Sequence, residues 1–259
     1  MRSADKVELE KRTDAFSESE DRKKLIASLP VTENRLQLEG ISTAVLEGGA
    51  GSPIVLLHGP GENATWWMRT IPELVATHRV IAPDLPGHGA SVVTGDSLHA
   101  GQVIPWLAAL IEQTCSRPPI LVGHVLGGSI AARFVIEHGD RIDHLVLVDS
   151  LGLGKFRPSL GFAFGLFRFM IRSTDKNYNR FLSHCMYDPD ALSKQMGDLW
   201  KPFLAYNLQN ARDPDRKSAM QTLMKKLGIP RIPSGELEKI KAPTALIWGR
   251  HDKANKLHV

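Results

Sequence analysis

What this chain lacks bounds it before anything it contains. Its 259 residues hold two cysteines, Cys115 and Cys185. That is too few for a disulfide framework and fits a reducing compartment. No apolar run reaches the roughly 18 residues of a membrane-spanning helix. Residues 1–30 are dense in mixed charge and carry no apolar leader segment, so the expected location is cytoplasmic. The net charge of +4 is small and dispersed. Without a Lys/Arg block or a basic stretch interleaved with aromatics, nucleic acid is not an expected partner. No metal-ligand spacing such as H-E-x-x-H and no phosphate-cradling glycine loop occurs, so no metal and no other cofactor is expected.

The most consequential absence is one hydroxyl. Gly123-His124-Val125-Leu126-Gly127 follows a strand-like run, Pro119–Val122, and leads into a helix-like run, Gly128–Val135. This is the strand–turn–helix context of G-x-S-x-G, in which flanking glycines let a strained turn lift the central side chain above the sheet edge. The central residue here is Val125, which has no lone pair to attack with. Ser129 is no substitute: four residues on, it lies roughly 6 Å farther along the helix axis, and it reads as a small residue where helix meets sheet.

What is present has an alternating rhythm. A hydrophobic fraction of 42% and a charged fraction of 23% are ordinary for a globular chain. Residues 1–30 read as a charged helix or partly disordered arm, more solvated than packed, with Leu25, Ile26 and Leu29 able to reach a core. Arg35–Leu38 and Ile41–Leu46 predict a hairpin about Glu39-Gly40. Three continuous apolar runs, Ile54–Leu57, Val80–Ala82 and Ile120–Val122, predict strands buried on both faces of a parallel sheet. Helical patterns over Trp66–Thr77, Leu98–Thr114 and Leu126–His138 separate them. The expected fold is α/β, with a doubly wound, mostly parallel sheet. From about Gly152 to Leu237 strand signals stop and helical patterns take over, among them Asp190–Lys201 and Arg216–Leu227.

Five motifs in order carry a resemblance: Ile54–Gly59 with its His-Gly turn, Val80–Ser91, the elbow, Leu145–Asp149, and Thr244–Asp252. From about Glu33 onward the chain resembles the α/β-hydrolase superfamily, of the type with a helical cap. The resemblance implies a charged arm over 1–30, a core over 31–151 and 238–259, and a cap over 152–237 between the sixth and seventh strands. It implies an ancestral hydrolysis of an ester, amide or C–C bond in a small apolar molecule. Asp252 stands at the acid position, with Asp149 one strand earlier as the alternative acid. The N–H of Leu126 is one expected oxyanion donor. The other belongs to the His-Gly turn, Gly59 and Pro60, but Pro60 has no N–H, leaving the side chains of Asn63 or Trp66 as substitutes. His124, Trp66, Phe164 and Phe167 are expected to line the substrate pocket, and His58, His88 and His124 to hold loops by hydrogen bonds. The catalytic histidine should follow the acid by a helix and a strand, whereas this sequence stops seven residues beyond Asp252. His251 and His258 are badly placed for that role. The chain is therefore expected to be C-terminally incomplete and no competent serine hydrolase. The alternatives are a non-catalytic binding protein, as in the gibberellin receptors that resemble hydrolases but lost a triad member, or an enzyme working without a covalent intermediate.

Overall fold

The computed structural model describes residue 16, residues 18–95 and residues 97–254. The expectations for residues 1–15 and for His258 lie outside these. The elements run in chain order as α1 (Glu20–Ala27), β1 (Thr32–Leu38), β2 (Ile41–Gly48), β3 (Ser52–Leu57), α2 (Ile71–Leu74), β4 (His78–Pro83), β5 (Val92–Val93), α3 (Val103–Thr114), β6 (Ile120–His124), α4 (Leu126–His138) and β7 (His144–Val148). Helices α5 (Leu160–Ile171), α6 (Asp175–Cys185), α7 (Pro189–Met196), α8 (Trp200–Arg212), α9 (Pro214–Leu223) and α10 (Ser234–Leu237) then precede β8 (Thr244–Ile247). The sheet order is β1-β2-β4-β3-β6-β7-β8, with β5 paired to β2. From β4 to β8 every neighbouring pair is parallel, and β2 meets β1, β4 and β5 antiparallel.

The apolar runs explain the layering. In β3, Val55 and Leu57 pack towards α3 and α4, while Ile54 and Leu56 pack towards α1 and the Ala64–Leu74 segment. A strand with an apolar layer on each side has no solvent face, which is why its sequence does not alternate. The hairpin turns at Glu39 and Gly40, whose φ of 49° and 74° form the left-handed pair of a two-residue turn.

Three expectations are corrected. The single helix expected over Trp66–Thr77 is a 3₁₀ turn, Ala64–Arg69, followed by α2. Pro72 lies in the first turn of α2, where its missing N–H costs nothing but blocks any helix from running through. The pattern over Asp190–Lys201 divides at Gly197, whose φ is 54°, and the two-residue β5 was not foreseen at all.

The third correction concerns the start of the chain. Leu25 is fully buried and Leu29 nearly so. The Arg22 guanidinium, also fully buried, donates to Glu33 at 2.6 Å and to the Tyr206 hydroxyl at 2.9 Å, and lies 3.0 Å from an Asp84 oxygen. A buried charge is tolerated only with such partners. They come from β1, the loop after β4, and α8, so no local pattern announces them.

Candidate functional site

The elbow is built as its glycines demand. Val125 sits between β6 and α4 with φ 48° and ψ −101°, a conformation rare for a β-branched residue. Its N–H donates to Val148 O at 2.9 Å, and its carbonyl accepts from Leu151 N at 3.0 Å and Ser129 N at 3.2 Å. The turn is thus tied to the end of β7 on both sides. A side chain on Gly123 would strike the backbone of Gly127 and Gly128, and one on Gly127 would strike the carbonyls of Leu57 and His58. Val125 itself is partly exposed above the sheet edge. Leu126 opens α4, so its N–H has no intrahelical acceptor. Ser129 is buried in α4 and donates to Leu227 O at 2.6 Å, away from the elbow.

The loop after β3 is occupied from within. Gly59 N–H donates to Glu62 Oε2 at 2.6 Å, and the same oxygen lies 3.1 Å from His124 Nδ1. Burial alone would push the Glu62 carboxyl up, but the neighbouring His124 and the Gly59 N–H hold it below its ordinary value. Burial likewise works against charge on His124, yet Glu62 first, then Asp149 and Asp252, raise its pKa above the usual imidazole value. The two shifts have one cause, since each group favours the charged form of the other across the 3.1 Å contact. The sequence reading overlooked Glu62, because a glutamate in a loop carries no signal until a fold places it beneath the elbow.

Both candidates for a substitute oxyanion donor are otherwise engaged. Asn63 is fully buried. Its Nδ2 donates to Asn207 Oδ1 at 3.0 Å, and its Oδ1 accepts from Thr65 N at 3.1 Å to cap the 3₁₀ turn. Trp66 Nε1 also donates to Asn207 Oδ1, at 2.6 Å, and its ring packs edge-on against Phe203 at 5.2 Å. The indole beside His124 is that of Trp67, with ring centroids 6.3 Å apart. Trp66 therefore docks onto α8 instead of facing the elbow.

The two acid positions lie side by side. Asp149 follows β7 with φ 45°, and its Oδ1 accepts from Gly249 N at 2.7 Å. Asp252, in the loop after β8, accepts from Ala254 N at 2.7 Å. Burial raises the Asp149 carboxyl above its ordinary value, the Gly249 N–H works against that, and Asp252 adds repulsion. His251 turns away and stacks on Tyr187 at 5.3 Å.

Phe164 and Phe167 stand on the open side of α5. They are 59% and 60% exposed. Helix α5 buries Phe162, Gly165 and Phe169 against α6, and the i, i+3, i+7 spacing of those three leaves Phe164 and Phe167 on the opposite side. His58 does hold its loop: Nδ1–H donates to Gly59 O at 2.8 Å, while Nε2 accepts from Leu85 N at 2.9 Å. His88 is pushed down to about 3, chiefly by burial, and its Nδ1–H donates to Pro86 O. Among the described residues no cluster of three or more His, Cys, Asp or Glu is arranged to hold a metal ion.

A strained elbow at the carboxyl end of a central parallel strand, with acids after the next two strands, defines the site class: an α/β fold built to present one side chain over a sheet edge. The chain belongs to the alpha/beta hydrolase fold family, whose profile matches residues 52–259. It is 36% identical over 118 residues to the 2-hydroxymuconate semialdehyde hydrolase of Pseudomonas sp. (strain CF600), covering 44% of this chain and 42% of that protein. It is 30% identical over 167 residues to the 2-hydroxy-6-oxo-2,4-heptadienoate hydrolase of Pseudomonas putida (strain F1), covering 62% and 58%. These matches span about half the length of those relatives. The solved 2-hydroxy-6-oxo-6-phenylhexa-2,4-dienoate hydrolase of Rhodococcus sp. strain RHA1 is similar in fold, with a TM-score of 0.74 and 23% identity over 87% of this chain and 83% of that one.

Proposed function

We propose that this chain binds a small, largely apolar molecule over the elbow, beneath inserted helices acting as a cap, and forms no covalent intermediate with it. The observation that carries this reading is Val125 at φ 48°, ψ −101°. The position that presents a nucleophile in this family is built at the cost of backbone strain and presents an isopropyl group. Nucleophilic catalysis needs a lone pair at that position, and none exists there. The relatives are named as hydrolases of muconate semialdehyde and oxo-dienoate compounds, and the ligand proposed here shares their small size. Its polar end differs. Asp149, Asp252 and Glu62 set three carboxylates against the one imidazole of His124, which favours a neutral or donor-bearing group over a carboxylate. A cytoplasmic location belongs to the same proposal.

The test is intact-mass analysis after treatment with a fluorophosphonate probe, alongside p-nitrophenyl butyrate turnover. No adduct is expected, with turnover no higher than for Val125→Ala. A stoichiometric adduct on a serine beside the elbow would overturn the reading. A second reading rests on the His124–Glu62 pair, a partly exposed imidazole with raised pKa that could transfer protons without a nucleophile. Turnover that survives the probe but disappears in His124→Gln would favour it.

A further inference from the structure

Helix α5 buries one side and leaves the other bare. Leu160 is 91% exposed, Phe164 59%, Phe167 60% and Ile171 68%. Their spacing of 4, 3 and 4 residues puts them on one stripe about 17 Å long. A contiguous apolar stripe of this length calls for a covering partner.

The charge around it says which. Between Lys155 and Arg172 the sequence carries Lys155, Arg157, Arg168 and Arg172 and not one acidic residue. All four cations are exposed. Arg168 lies over the Phe164 ring at 5.6 Å, so cation and apolar surface are presented together. Neighbouring elements add to the charge: α6 contributes exposed Lys176 and Arg180, and Lys217 of α9 donates to Met170 O at 2.9 Å. Of the nearby acids, Asp175 is paired with Arg212 and Asp213 with Arg216, while Asp252 stands in the loop at the start of the stripe. A second copy docking symmetrically would set these cations against themselves. An anionic lipid surface answers both the aromatic stripe and the charge, the combination typical of helices that lie in the membrane interface. No described helix is long and apolar enough to cross a bilayer, so the contact would be peripheral. The stripe begins beside the loop of Asp252, where Ser159 N–H donates to Lys253 O at 2.9 Å.

We propose that the exposed face of α5, from Leu160 to Ile171, docks this protein onto anionic membranes. The test is flotation of the full chain with vesicles of phosphatidylcholine alone and of phosphatidylcholine mixed with phosphatidylserine. Binding is expected only to the anionic vesicles and should weaken as salt rises. Phe164→Ser with Phe167→Ser should lower partitioning by more than about tenfold, and Arg168→Gln with Arg172→Gln by roughly tenfold or more. Both pairs are exposed, so melting temperatures should match the parent and separate lost docking from lost folding. Failure of the parent to float with either lipid mixture would overturn the proposal. So would a dimer in size-exclusion chromatography that dissociates in the Phe164→Ser, Phe167→Ser variant, which would assign the face to self-association.

Discussion

The elbow and the loop after β3 face each other over the same site and are held by different physics. The elbow is fixed by backbone: Val125 is tied to Val148 and Leu151, and glycines at 123 and 127 admit carbonyls where side chains would stand. None of this depends on the side chain at 125, so the geometry persists without its chemistry. The loop is fixed by charge. Glu62 takes the Gly59 N–H and pairs with His124. Asp84 accepts from Ala64 N at 2.6 Å and Ala90 N at 2.7 Å while lying against Arg22. A backbone-locked turn should ignore pH and salt, whereas a charge-locked loop should not.

The largest expected effect breaks the loop side. Arg22→Leu leaves Asp84 buried without its cation and should cost about 3–5 kcal/mol, read by chemical denaturation. Gly127→Ala breaks the elbow side, since the new methyl would lie 2.7 Å from His58 O. We expect a loss of about 2–4 kcal/mol, with no dependence on pH between the parent and the variant.

Glu62→Gln sharpens the contrast, with an expected cost of roughly 1–2 kcal/mol near neutrality. Because Glu62 is lowered, its contribution is present above the ordinary carboxylate value and is lost as pH falls through its own depressed one. Because His124 is raised, its contribution is present below the ordinary imidazole value and is lost as pH rises through its elevated one. The parent's advantage in melting temperature should therefore be greatest between those two limits and shrink on either side. An NMR titration of the His124 ring should show its pKa falling in the variant. An advantage that stays constant with pH would show that the loop is not held by charge.

The smallest effect has the opposite sign. Val125→Gly should stabilise by about 1 kcal/mol, because glycine takes positive φ without the strain of a β-branched residue. A loss instead would mean that the isopropyl group packs usefully against something over the elbow.

The sheet and the elbow were legible because their signals are local. Ile54–Leu57 announces a doubly buried strand, and Gly123 and Gly127 announce a turn with no room for side chains. Long-range partners were not legible. Arg22 reads as a solvated arginine until Glu33, Asp84 and Tyr206 converge on it, and Glu62 reads as a loop residue until His124 arrives above it. The placement of Phe164 and Phe167 was not legible for a related reason. An apolar helix with aromatics on every side does not reveal which side its neighbours take, and α6 took that of Phe162 and Phe169. Trp66 and Trp67 are adjacent in sequence, and only the 3₁₀ turn decides that one ring docks on α8 while the other meets His124.

Asn207 joins the inserted helices to the site in a way that bears on motion. Its side-chain oxygen receives both Asn63 Nδ2 and Trp66 Nε1, while its own amide donates to Phe203 O at 2.8 Å. Lifting α8 from the sheet would strand two donors, at about 1–3 kcal/mol each. Helix and loop should then swing as one lever, with Glu62 riding on it. In hydrogen-exchange measurements the Trp66 indole proton is expected to open together with the amides of α8, so that helix and loop share a single opening rate.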